Sequence, residues 1–135
     1  MYQTEMEGTK KMTAVSGDGT ELVNYTSNVL IVLSPEIYEF LYAIPSSGIA
    51  RIEGPETITT STSIIGTPVV QIVSGKVVGL PNPEEGIFYI VEYDVATKLR
   101  EEGRTDDILF PNAVVRNDKG ELIGVTGWGT FASKS

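Results

Sequence analysis

The sequence has no cysteine, no histidine and a single tryptophan, and its 10 lysines and arginines face 18 acidic residues. Without cysteine there is no disulfide, no thiolate metal ligand and no thiol nucleophile. Without histidine the commonest general base and transition-metal ligand near neutral pH is missing, which excludes zinc chemistry and a Ser-His-Asp triad. A net charge of −8 repels duplex nucleic acid, whose binding needs a row of neutralising cations. No apolar run reaches the roughly 20 residues that span a bilayer. The start, MYQTEMEGTKKMT, lacks the apolar core of a secretory signal, so no membrane contact is expected and the chain is read as cytoplasmic.

What is present is a globular composition: 135 residues, 41% apolar and 21% charged, enough for one domain that buries about two-thirds of its unfolded surface. Residues 1–20 are polar and without period, and are expected as a flexible N-terminal arm. Residues 21–130 form the expected α+β domain, with 131–135 as a C-terminal tail. β-Branched segments separated by Gly, Pro and Ser ("LVNYTSNVLIVL", "GIARIEG", "TPVVQIVSG", "KVVGL", "IFYIV", "ELIGVTGWGTF") predict mostly antiparallel strands in a small barrel or curved sheet. In "ETITTSTSI", Ile58, Thr60, Thr62 and Ile64 alternate as in a half-buried strand. "SPEIYEFLYAIP" fits a helix or a strand, and Pro45 ends either. One main helix is predicted near residues 92–102, with Asp94 capping its first turn, Val95 and Leu99 on the buried face, and Gly103 just beyond its end.

No glycine pattern matches a dinucleotide or phosphate-loop fingerprint. "GDGTE" near Gly17 is a hairpin turn rather than a calcium loop. Asn24-Tyr25-Thr26 matches a glycosylation sequon, but nothing else points to secretion and the match is read as coincidental. Asp106 and Asp107 are neighbours; on a strand they point to opposite faces, so a joint catalytic role is not expected, and one of them is expected to pair with Arg104.

The arginines separate into classes. Arg100 belongs to a solvated helix face. Arg51, between Ile49 and Ile52, and Arg116, after Ala113-Val114-Val115, lie in apolar strand patterns, where each must reach water or find a charge-assisted partner. That partner is a carboxylate of the same chain or the phosphate oxygens of a ligand. Phe88 and Tyr89 are adjacent, so one faces the core and the other the opposite side, where a ring can stack on a base for roughly 1–3 kcal/mol.

The order of these segments carries a resemblance. "VNYTSNVLIVL", "IPSSGIAR", the turn "VVGLPNP", "GIFYIVEYDVATKL" and "RTDDILFPNAVVRNDKGELIG" together resemble small phage and prophage proteins with an Asn-Leu-Thr-Pro-His-like start and a Val-Arg-Asp-x-x-Gly end. Within that group the chain resembles the first type of phage Thoeris anti-defence sponge, over residues 22–127. Two departures stand out: Ser27-Asn28 replaces Pro-His, and Asn117 follows Val115-Arg116 in place of Asp. The resemblance implies a non-enzymatic protein that sequesters cyclic ADP-ribose-type signals, needs no cofactor, and forms a homodimer or a hexamer with the ligand between subunits. It further implies that Arg51 and Arg116 grip the phosphates, Phe88 or Tyr89 stacks on the base, and Thr97 supplies a polar contact from the helix. Two rivals remain open on the residues alone: a viral structural or assembly protein, and a hydrolase using Asp106 or Asp107.

Overall fold

The apolar β-branched runs become strands, and the segment with 3.6-residue spacing becomes a helix. The computed structural model describes residues 3–5, 13–15 and 17–132. Along the chain lie β1 (Gln3–Glu5), β2 (Thr13–Val15), β3 (Glu21–Asn24), β4 (Leu30–Leu33), β5 (Phe40–Ile44) and β6 (Arg51–Glu53). They are followed by β7 (Glu56–Ile64), β8 (Thr67–Val73), β9 (Lys76–Val78), β10 (Ile87–Ile90), α1 (Tyr93–Glu101), β11 (Ile108–Arg116) and β12 (Leu122–Gly129). The ambiguous stretch after Leu33 resolves into a turn at Pro35–Ile37 and then strand β5, so the alternating pattern prevails over the helical one.

Eight strands form one sheet in the order β1-β2-β3-β10-β11-β12-β4-β5, and β5 curls back against β1, β2 and β3 to leave a nearly closed barrel. The fold is α+β, as the sequence predicts, and the sheet is mixed. β3 with β10, β10 with β11, and β12 with β4 pair in parallel, while the hairpins are antiparallel. The parallel pair β10–β11 follows from α1, whose crossover returns the chain to the same end of the sheet. Two strands fall within the segment expected as a flexible arm, so Gln3–Glu5 and Thr13–Val15 belong to the sheet; residues 1–2, 6–12 and 16 lie outside the described residues, as do 133–135.

Alternation along β10 sorts its side chains into two apolar clusters. Phe88 and Ile90 point into the barrel, where they meet Leu22, Leu30, Val32, Ile44 and Val125 from the surrounding strands. Ile87, Tyr89 and Val91 point outward and are covered by Val95, Ala96 and Leu99 of α1. Period 2 in the strand meets period 3.6 in the helix, and both faces of β10 are buried. Val95 and Leu99 together contribute roughly 3–6 kcal/mol of burial.

The helix begins one residue later than predicted. Glu92 holds the N-cap position without a side-chain bond, and Asp94 lies inside the first turn, where its Oδ1 accepts from the Val95 N–H at 2.8 Å. Gly103 follows with φ of 92°, and the Arg104 N–H closes the end on the Leu99 carbonyl at 2.8 Å. Phe131, placed by the sequence in a tail, instead packs its ring against Tyr93 and Phe110, with the Arg100 guanidinium 5.1 Å above it.

Asn24-Tyr25-Thr26 has a structural role. The Asn24 amide is fully buried; its Nδ2 donates to the carbonyls of Asn28 and Ile44, both at 2.8 Å. Its Oδ1 accepts from the N–H of Thr26 at 2.8 Å and from the Thr26 hydroxyl at 2.7 Å. Two donors and two acceptor sites are the whole capacity of an asparagine side chain. The carboxamide therefore holds the corner between β3 and β4 and ties it to β5.

Candidate functional site

Each sequence-predicted site residue has a defined place. Arg51 starts β6, opposite Val78, and its guanidinium is exposed, 3.4 Å from the equally exposed Glu53 carboxylate. A solvent-exposed pair of that length is weak and exchangeable. Arg116 ends β11, where its NH1 donates to the Gly120 carbonyl at 3.0 Å and makes no ion pair among the described residues. Thr97 sits half-buried on α1 with its hydroxyl on the Tyr93 carbonyl at 3.0 Å. Phe88 is half-buried against the barrel interior. Tyr89 is 2% exposed, packed edge-on against Tyr25 and 5.7 Å below the Arg104 guanidinium. Burial first, then the Glu84 carboxylate and the Tyr25 ring, hold its phenol above the usual value of 10.0, with Arg104 acting in the opposite sense.

The fold groups these residues at two places. Arg51 and Thr97 belong to the helix side, since β6 packs against α1. Arg116 lies eight residues along β11 from Ile108, the partner of Tyr89, which is on the order of 25 Å of strand. No hydrogen bond or shared strand links Arg51 with Arg116 among the described residues.

Arg116 borders a recess of ligand size. β12 and β4 lie side by side, with Val125 opposite Val32. Where the two strands begin lies a groove of about 350 Å³, lined by residues 28–31 and 122–125, with no charged side chain in its lining among the described residues. That volume lies within the range of small-molecule sites, about 300–1,000 Å³. Leu122, in the groove wall, is the cross-strand partner of Arg116, so the two side chains share a face. Gly124 makes the close approach possible: a Cβ there would sit 2.8 Å from the Leu33 side chain and 2.9 Å from the Ile31 carbonyl oxygen.

Arg104 differs from both. Its Nε and NH2 bind Asp107 as a fork, at 3.1 and 2.7 Å, and NH2 also donates to the Pro81 carbonyl at 2.8 Å. With side chains 20% and 13% exposed, this pair staples the post-helix turn to the segment before β10, as the sequence predicts for Arg104. A neighbouring recess of about 340 Å³ is lined by Glu102, Asp106 and Asp107 together with Arg104, whose charge Asp107 already neutralises, so its charged lining is acidic on balance. Asp107 is committed to Arg104, which removes it as a free base.

Sequence reasoning missed one feature of the helix side. Tyr93, 61% exposed, stacks edge-on against Phe110 at 5.1 Å, and Phe131 and Arg100 complete an aromatic and cationic surface beside Thr97. The signal was the spacing Tyr93, Thr97, Arg100, which places all three on one helix face. Compared with protein-family models, curated proteins and solved structures, the chain matches none of them.

Proposed function

We propose that the protein binds and sequesters a cyclic ADP-ribose-type nucleotide without cleaving it, acting as a viral anti-defence sponge. The observation that carries this reading is Arg116, an arginine free of any carboxylate at the rim of an apolar, ligand-sized groove. Arg51, held only by a long surface pair, is the second exchangeable guanidinium. Because the two lie apart within one chain, the ligand sits between subunits, with Arg51 supplied by one copy and Arg116 by another. Planar guanidinium forks hold the pyrophosphate, and Thr97 adds a polar contact. The base stacks on Tyr93, whose ring the fold leaves open, because Phe88 faces the barrel interior and Tyr89 is covered by α1 and Tyr25. Sequestration needs tight binding and no proton transfer, which suits a sequence without histidine or cysteine.

Isothermal titration with cyclic ADP-ribose isomers tests this reading. One isomer is expected to bind with Kd below about 10 μM. Arg116→Ala and Arg51→Ala are each expected to weaken binding at least tenfold, and the ligand released by denaturation to be chemically unchanged. Unaltered binding by Arg116→Ala refutes the assignment. The projecting, apolar β7–β8 ribbon favours a second reading, a viral structural or assembly protein; mass spectrometry of purified particles separates the two, because a sponge is absent from virions.

A further inference from the structure

The β7–β8 ribbon departs from the half-buried strand its sequence predicts. Among the described residues it packs against no other strand or helix to a substantial extent, and every residue from Glu56 to Ser74 is exposed except Thr60 and Val69. Those two cover each other at the register shift, where the Thr60 hydroxyl donates to the Val69 carbonyl at 2.6 Å. On one face Thr57 and Thr59 stand beside Ile72 and Val70; on the other lie Ile58 and Val73. An isolated two-stranded hairpin is at best marginal in water. A long, uncharged, exposed edge is moreover a feature that proteins blunt with charge or cover.

This ribbon has no such protection, because residues 57–73 contain no Asp, Glu, Lys or Arg. Its tip is also unusual. Ile64 pairs with Thr67, leaving Ile65 and Gly66 as a two-residue turn with φ of 49° and 78°. Positive φ at both positions is the habit of Asn-Gly turns, and a β-branched residue there is strained by about 1–3 kcal/mol. This turn presents Ile65, 98% exposed, at the far end of the ribbon. At the other end Gly54 and Gly75 touch backbone to backbone, with a Cβ on Gly54 falling 2.9 Å from the Gly75 Cα, so the ribbon leaves the body through a narrow neck.

We propose that β7–β8 is an assembly arm whose partner is a second copy of this chain. Charge selects that partner. The chain carries −8 overall, so the bodies of two copies repel, and the uncharged ribbon is where they meet without like-charge contact. A ribbon without cations offers nothing to nucleic acid or an anionic membrane. Area sets the arrangement: one ribbon face measures about 30 by 10 Å, or about 300 Å², and a stable interface takes about 800 Å² per partner. Both faces are therefore covered, for about 600 Å², and the strip of body beneath the partner's arm brings each copy to about 900 Å². Two arms cross antiparallel about a twofold axis, each lying between the partner's arm and the partner's body, with Ile65 reaching that body. Arg51, three residues before Gly54 at the base of the arm, then lies at the subunit boundary. The inference rests on the assembly of copies in the proposed function and not on its ligand.

Sedimentation velocity on the ligand-free full chain at about 50 μM tests it. The expected result is a dimer or larger species, converted to monomer by Ile65→Asp with Ile72→Asp while the circular dichroism spectrum is kept. Because the chain has no cysteine, Ser61→Cys places one thiol near the middle of the arm and is expected to cross-link between copies with a short bismaleimide. Glu85→Cys, in the exposed turn before β10 and remote from both Arg116 and the arm, is the control that does not. A monomeric native chain, a doubly substituted chain that still associates, or equal cross-linking at both positions overturns the proposal. Failure to bind any cyclic ADP-ribose isomer leaves each of these results unchanged and counts against the ligand alone.

Discussion

Replacing Asn24 with alanine removes four hydrogen bonds, two of them at groups that water does not reach. Thr26 N–H, in a residue 3% exposed, loses its acceptor, and the carbonyl of fully buried Ile44 loses a donor. Asn28 is exposed, so its carbonyl rehydrates, and the Thr26 hydroxyl keeps its bond to that carbonyl at 3.0 Å. Two groups thus bear the loss, each at about 1–3 kcal/mol, for a total near 3 kcal/mol. In a domain of this size that lowers Tm by about 10–15 °C. Asn24→Asp goes further at neutral pH. It buries a charge and turns a carboxylate oxygen, instead of an amide N–H, toward two carbonyls. Burial raises that carboxyl's folded pKa above the unfolded value near 3.9, so its penalty is largest at neutral pH and shrinks as pH falls toward 4. Urea melts at fixed protein concentration, read by fluorescence and compared through unchanged m-values, measure both. An Asn24→Ala variant within 1 kcal/mol of the native chain would show that the corner is not held by this side chain.

Two further perturbations follow from the Arg104 region. Asp107→Ala leaves a half-buried guanidinium with only the Pro81 carbonyl and is expected to cost about 2 kcal/mol, whereas Arg104→Met with Asp107→Leu recovers most of that loss; chemical denaturation of the single and double variants decides it. The phenol of Tyr89 is held above its usual range, so the folded state keeps a proton that the unfolded state gives up first. Stability is accordingly full below pH 10 and falls as pH rises beyond it. Tyr89→Phe is expected to flatten that fall in thermal melts taken between pH 9 and 11, and an unchanged slope would count against the buried phenol as its cause.

The local rules were legible in the chain itself. The unbroken apolar run in "IFYIV" specifies a strand, and Val95 with Leu99 specify a helix and its buried side; that the helix covers the outer face of that strand, Tyr89 included, was decided by the fold. Asp106-Asp107 beside Arg104 foretell a fork that closes the post-helix turn. These depend on spacing within a few residues, where backbone geometry leaves few choices. Features built from distant segments were not legible. "ETITTSTSI" has the alternation of a half-buried strand, yet burial depends on whether an element other than its hairpin partner reaches it, and among the described residues none packs on it substantially. Asn24-x-Thr26 looks like a surface sequon until Ile44, twenty residues on, supplies a carbonyl to the same amide. The separation of Arg51 from Arg116 depends on sheet membership, which pairs β6 with β9 beside α1 and keeps β11 in the eight-stranded sheet. Composition and spacing thus determined the elements and excluded histidine and cysteine chemistry. Tertiary structure alone decided which arginine is consumed, which stands free beside a groove, and which strands are left for a partner, because those outcomes depend on contacts between residues far apart in the chain.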